Sequence, residues 1–234
     1  MTHYLSRITV PSAVLQDEST LMSTGDVYRD HALMWKLFPG APDAKRDFLF
    51  RAETGANGHL LYYLMSRRQP RAWHSSVKVE SKLYQPRLEV GEWVHFSLRA
   101  NPVVAKAIGK EQRGRRHDVL MAAKTEAKAK GLSNSGIQTE MTRAALGWLT
   151  RRAEAWGLEV DADEVQVDAY LQHALHSKGR WLRFSSVDYQ GMARVSDSDK
   201  LIPAMLGQPA SGPHASLGHA LGFGCGLLLV KRLP

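Results

Sequence analysis

A β-branched run from Tyr4 to Val10 (Tyr-Leu-Ser-Arg-Ile-Thr-Val), closed by Pro11, predicts a first strand. Beyond Gly25-Asp26 the apolar period lengthens. Val27, Leu33, Met34 and Leu37 recur at helical spacing, which predicts a helix over 27–37 with Asp26 as its N-cap and Pro39-Gly40 past its end. Arg46 to Glu53, with Phe48 and Phe50 on one side, is followed by a turn at Gly55 to Gly58 and a strand from His59 to Met65. Gln69 to Arg87 carries no assignable pattern, and Trp93 to Ala100 is a further strand stopped at Asn101-Pro102. That order fits a β-α-β-β-α-β ferredoxin-like unit whose second helix is degenerate.

The second half repeats the theme. Lys106 to His117 is basic and glycine-punctuated, as a linker or exposed loop would be. Thr139 to Trp156 predicts a helix with Met141, Ala145, Trp148 and Leu149 on one stripe. Val160 to Leu175 includes a strand alternating through Val165, Val167 and Ala169; Ser177 to Gly179 supply a turn, and Arg180 to Val195 the hairpin partner. Asp197 to Leu206 reads as a short helix capped by Asp197 or Ser198, and Gly222 to Val230 ends in an apolar strand, Leu227 to Val230. The expected class is therefore α+β, with two tandem ferredoxin-like (RRM-like) domains: 1–104, a basic linker 105–117, and 118–234. No internal sequence repeat demonstrates the duplication, and the pattern also fits other α+β folds.

Composition adds a partner class. Hydrophobic residues at 44% and charged residues at 23% exclude general disorder. No apolar run reaches bilayer length, and the N-terminal residues lack a signal pattern, so a cytoplasmic protein without a membrane partner is expected. The single cysteine, Cys225, agrees, since one thiol builds no disulfide framework. Lys and Arg number 31 against 23 Asp and Glu, a formal charge of +8. Such a charge favours a polyanionic partner through counterion release, although many basic proteins bind no nucleic acid.

Three segments carry candidate chemistry. In Tyr28-Arg29-Asp30-His31, helical spacing puts Tyr28 and His31 on one face, where imidazole and phenol can move protons at an RNA 2′-hydroxyl or a leaving 5′-oxygen. With ten histidines in the chain, such a pair is by itself ordinary packing. The run Gly218-His-Ala-Leu-Gly-Phe-Gly-Cys-Gly226 lets backbone N–H groups approach phosphates, or merely serves a tight turn. No helix follows it, so a dinucleotide fingerprint is excluded. The hairpin His173 to Arg183 presents Lys178, Arg180 and Arg183, either as phosphate contacts or as a solvated turn. His173/His176 and His214/His219 lack accompanying cysteines or carboxylates at ligand spacing, so neither a metal nor another cofactor is expected.

Taken in order, these segments resemble the CasE family, the endoribonuclease that processes precursor crRNA in type I-E CRISPR systems and stays in the Cascade complex. The resemblance rests on Tyr4-Leu-Ser6, Tyr28-x-x-His31, Trp35-x-Leu-Phe-Pro39, Arg46-Asp-Phe-Leu-Phe50, Leu98-Arg-Ala-Asn-Pro102, Trp148-Leu149 and Gly224-Cys-Gly-Leu-Leu228, and it spans nearly the whole chain. It implies two ferredoxin-like domains and a cut at the 3′ base of a CRISPR repeat hairpin. The 2′-hydroxyl attacks the adjacent phosphate, leaving a 2′,3′-cyclic phosphate and a 5′-hydroxyl. His31 then falls at the principal acid/base position, Tyr28 at a helper phenol, and the basic hairpin where the family reaches into RNA. Arg115, Arg116, His219 and Gly224 join Lys178, Arg180 and Arg183 as candidate RNA contacts. Where family members carry a lysine in the glycine-rich loop, this chain has Leu221, so a phosphate contact is lost there or supplied by His219. Residues 207–216 look like an insertion. The partners implied are precursor and mature crRNA and the other Cascade subunits. The alternative is a non-catalytic RNA-binding scaffold on the same fold.

Overall fold

Burial alternates along β1 (Tyr4–Val10), where Ser6, Ile8 and Val10 face inward, as a strand with one covered face requires. The computed structural model describes residues 2–17, 26–40, 44–55, 58–108, 112–177, 180–209, 211–212 and 214–233. They divide into two units. One holds Met1–Arg87, His173–Arg183 and Ala220–Leu227; the other holds Leu88–Gln172, Phe184–His219 and Leu228–Pro234.

In the first unit β1 is followed by α1 (Ser12–Asp17), α2 (Asp26–Lys36), β2 (Phe48–Thr54), β3 (Leu60–Ser66) and β4 (Lys78–Leu83). The strands pair in the order β2-β3-β1-β4, every neighbour antiparallel. Ile8, Val10, Leu33, Met34, Leu37, Phe48, Phe50, Tyr62 and Leu64 form its core. Each such side chain contributes about 1.5–3 kcal/mol of burial, which holds α2 on the sheet. Two expectations are corrected. Asp26 is the first residue of α2 rather than its cap, and its carboxylate accepts from Arg29 Nη1 at 2.7 Å. The fourth strand is Lys78–Leu83, from the stretch without a legible pattern, whereas Trp93–Ala100 belongs to the other unit.

The second unit contains β5 (Trp93–Ala100), β6 (Val103–Ile108), β7 (Gln112–Asp118), α3 (Val119–Ala129), α4 (Asn134–Ala153), β8 (Leu158–Glu159), the base of the hairpin β9 (Val165–Ser177) and β10 (Arg180–Val195), α5 (Ser198–Met205) and β11 (Leu228–Arg232). Its sheet runs β11-β5-β10-β8, with β9 against β10. Arg99 and Asp188, opposite one another on β5 and β10, are joined by a two-bond ion pair at 2.7 Å. Within the expected linker 105–117, the described residues 105–108 and 112–117 lie instead in β6 and β7, where Val103 to Lys106 pair in register with Asp118 back to Arg115. Asp118 then caps α3, accepting from Met121 N at 2.9 Å. Asp197 caps α5. The expected domain boundaries are also redrawn: the hairpin tip and the glycine-rich loop group with the first unit, not with the C-terminal half. Among the described residues no helix is long and apolar enough to cross a membrane.

Candidate active site

Two buried, oppositely charged residues fix the helix that presents His31. Arg29 and Asp30 are 7% and 8% exposed in α2. The Asp30 carboxylate accepts from Arg29 Nε at 3.1 Å, Arg29 Nη2 at 2.9 Å and the Tyr62 hydroxyl of β3 at 2.7 Å. Burial pushes the Asp30 carboxyl up from the ordinary range, against the opposing pull of Arg29 and Tyr62. The network ties the turn before His31 to the sheet.

His31 is half-buried one residue further on. Its ring lies 5.3 Å from Phe223, 6.4 Å from Tyr28 and 6.5 Å, edge-on, from Trp35, measured between centroids. The carbonyl of Gly222 lies 2.7 Å from Nδ1. A carbonyl only accepts, so Nδ1 carries the proton and the neutral ring keeps its lone pair on Nε2. Burial lowers the His31 pKa from its ordinary value; the Gly222 hydrogen bond opposes this and the charge of Arg46 adds to it.

Arg46, just before β2, holds the glycine-rich loop in place. Its Nη1 donates to Phe48 O at 2.7 Å and to Leu221 O at 3.0 Å. Gly222 lies at this corner in ordinary contact: a Cβ built there would lie 3.6 Å from His31 Nδ1 and 3.9 Å from Arg46 Nε. Gly224, at φ +84°, turns the chain against Phe50 in a backbone region that side chains rarely enter. The site therefore combines a neutral imidazole, a phenol and a guanidinium, a set suited to proton transfer beside a phosphate.

The profile of the family described as CRISPR associated protein matches residues 3–232. The chain belongs to that CRISPR associated protein family. The CRISPR system Cascade subunit CasE of Escherichia coli (strain K12) is 27% identical over 212 residues, covering 89% of this chain and 93% of that protein. Among solved structures, Thermus thermophilus Cse3 bound to an RNA representing a pre-cleavage complex is similar with a TM-score of 0.69 at 18% identity, covering 99% of this chain and 100% of that one. Cas6e from Escherichia coli K-12 is similar with a TM-score of 0.61 at 21% identity, covering 98% and 100%. At such identities the structures speak to the fold: this CRISPR associated chain shares their mixed helix-and-sheet architecture along nearly its full length.

Within this CRISPR associated protein, Tyr28, His31 and Gly224 come together in the first unit. Gly224 is buried, at φ +84°. Leu221 contributes a carbonyl to Arg46 where the family's lysine was expected. His219 and exposed Arg116 belong to the second unit. Arg183 is exposed near the hairpin tip. Lys178 and the side chains of Arg115 and Arg180 lie outside the described residues. Sequence reasoning missed the roles of Arg46, Asp30 and Tyr62. The adjacent opposite charges Arg29-Asp30 inside an otherwise apolar helix face were the available signal. Among the described residues no three His, Cys, Asp or Glu side chains gather as a metal site would require.

Proposed function

We propose that the protein is a metal-independent RNA endonuclease that binds the repeat hairpin of precursor crRNA, cuts at its 3′ base and remains bound as a Cascade subunit. Family membership supports the reading, as does the likeness to CasE, a Cascade subunit, and to Cse3, described as a CRISPR endoribonuclease bound to RNA. The strand orders β2-β3-β1-β4 and β11-β5-β10-β8 each have the arrangement of a ferredoxin-like sheet, which supports two such domains. Such a role belongs in the cytoplasm, beside crRNA and the other Cascade subunits.

The observation that carries the mechanism is the His31 Nδ1–Gly222 carbonyl hydrogen bond at 2.7 Å. With Nδ1 as donor, Nε2 is ready to take the proton of the substrate 2′-hydroxyl as that oxygen attacks the neighbouring phosphorus. The phosphorus–5′-oxygen bond breaks, and the leaving oxygen receives a proton from the imidazolium or from Tyr28. The products are a 2′,3′-cyclic phosphate and a 5′-hydroxyl. RNA carries its own nucleophile, so the step calls for no activated water. Arg183, Arg180, Lys178, Arg115, Arg116 and His219 hold the RNA backbone in this reading, with recognition by hairpin shape.

Labelled repeat RNA incubated with the protein in EDTA tests it. Cleavage at the 3′ base of the hairpin is expected. Tight binding without cleavage, with or without added divalent metal, would mean a scaffold, and cleavage that EDTA abolishes would mean a metal-dependent nuclease.

A further inference from the structure

In the second unit, Arg152 in the last turn of α4 lays its guanidinium over the Trp148 ring, with Cζ 4.3 Å from the centroid. Its Nε–H is buried and meets no acceptor among the described residues. The platform beneath it is fixed: the Trp148 indole stacks with Tyr189 at 5.9 Å and donates from Nε1 to Val103 O at 3.2 Å. Gly218, at φ +98°, passes beside the same ring: a Cβ built there would lie 3.2 Å from Asn101 O and in ordinary contact, 3.6 Å, with Trp148 Cη2. The next residue in the chain is His219. Burial lowers the His219 pKa, and the charges of Arg116 and Arg152 lower it further, so His219 stands within electrostatic reach of each arginine.

Arginines in a last helical turn offset the helix dipole without any ligand, and that explains exposed Arg151. It does not explain Arg152. Buried donors are nearly always paired, and a half-buried guanidinium is ordinarily matched by a carboxylate. Here no carboxylate among the described residues pairs with Arg152, Arg116 or His219, and Arg116 adds a second cation from β7.

The geometry points to a phosphate-binding site formed by Arg152 with Arg116 and His219, which takes a backbone phosphodiester of the bound RNA. The guanidinium and imidazole N–H groups donate to its oxygens, and the stack on Trp148 holds Arg152 ready for the contact. The choice of RNA as the phosphate source rests on the function proposed above.

The test measures repeat-hairpin affinity across a salt series, with thermal melts of each protein. Arg152→Gln should bind about tenfold more weakly, the effect of one charge-assisted hydrogen bond. Its log–log salt slope should be shallower by roughly one unit, and Arg152→Lys should recover most of the slope. A folded Arg152→Gln protein with wild-type affinity and slope overturns the site. Should Arg152→Gln fail to fold, the Arg116→Gln/His219→Gln protein replaces it, with the same slope loss expected and the same overturning result. A second arm titrates inorganic phosphate and follows the His219 ring resonances by NMR. A saturable shift that Arg152→Gln removes, together with the slope loss, keeps the site even if wild-type protein does not prefer the repeat hairpin, in which case the functional reading fails alone. No shift in the wild type, together with an unchanged salt slope, overturns the site whatever the RNA preference.

Discussion

His31 is tuned by burial and by two neighbours, Gly222 and Arg46. Gly222 sets the tautomer, burial holds the ring neutral, and Arg46 discourages a second proton. Replacing the ring with His31→Ala should slow single-turnover cleavage by about two to four orders of magnitude while hairpin affinity changes little. Tyr28→Phe, which keeps the ring and loses only the hydroxyl, should lose less. The pH profile checks the protonation state. The His31 pKa is lowered, so the free enzyme holds the lone pair on Nε2 down to below the ordinary histidine value, and activity is lost only as pH falls through that lowered pKa. The acid limb of kcat/KM should therefore lie below pH 6.5, the value from which His31 is displaced. Arg46→Ala should move that limb upward by removing the charge that opposes protonation, and Arg46→Lys should leave it nearer the wild-type position. An acid limb above 6.5 in the wild type would contradict the role given to His31.

At the scale of elements, α2 carries Tyr28 and His31 together with a buried ion pair, and the two are coupled. Asp30→Ala leaves Arg29 charged and buried without its main partner, a change that costs about 3–5 kcal/mol. Tyr62→Phe removes one hydrogen bond to the same carboxylate and should cost about 1–3 kcal/mol. Denaturant melts measure both, and cleavage should weaken in the same order because the network fixes the turn before His31. Equal stability for wild type and Asp30→Ala would show that the pair does not hold the helix. The elements also show what periodicity can and cannot reveal. Tyr4–Val10, Trp93–Ala100 and Arg180–Val195 were legible to the residue, being apolar or β-branched runs bounded by proline, asparagine or a turn. Lys78–Leu83 was not, because this edge strand of Lys-Val-Glu-Ser-Lys-Leu is half-exposed or exposed throughout and has no apolar rhythm. Val119–Ala129 escaped for a similar reason: its buried positions are only Leu120 and Ala127. Basic residues and glycine made 105–117 resemble a linker, while backbone pairing, which composition does not encode, puts its described residues in the paired strands β6 and β7.

For the whole molecule, the decisive event is a return of the chain. The carbonyl that orients His31 comes from Gly222, 191 residues later, and Arg46 grips Leu221 beside it. Local spacing could pair Tyr28 with His31, because three residues on a helix are neighbours in space. It could not reveal that the glycine run closes on that same helix, nor that Trp93–Ala100 leaves the first sheet for the second, since both depend on long-range packing. What the assembled site is claimed to do is let RNA cut itself, with the 2′-hydroxyl as nucleophile and His31 as its base. The most direct measurement is cleavage of a repeat hairpin carrying one 2′-deoxynucleotide just 5′ of the cut, with mass spectrometry of the upstream product from the all-ribose control. The account predicts that the deoxy substrate binds but is not cut, because recognition rests on hairpin shape and many phosphates rather than on that one hydroxyl, and that the control ends in a 2′,3′-cyclic phosphate. Cleavage of the deoxy substrate, or a 3′-hydroxyl on the control product, would contradict it.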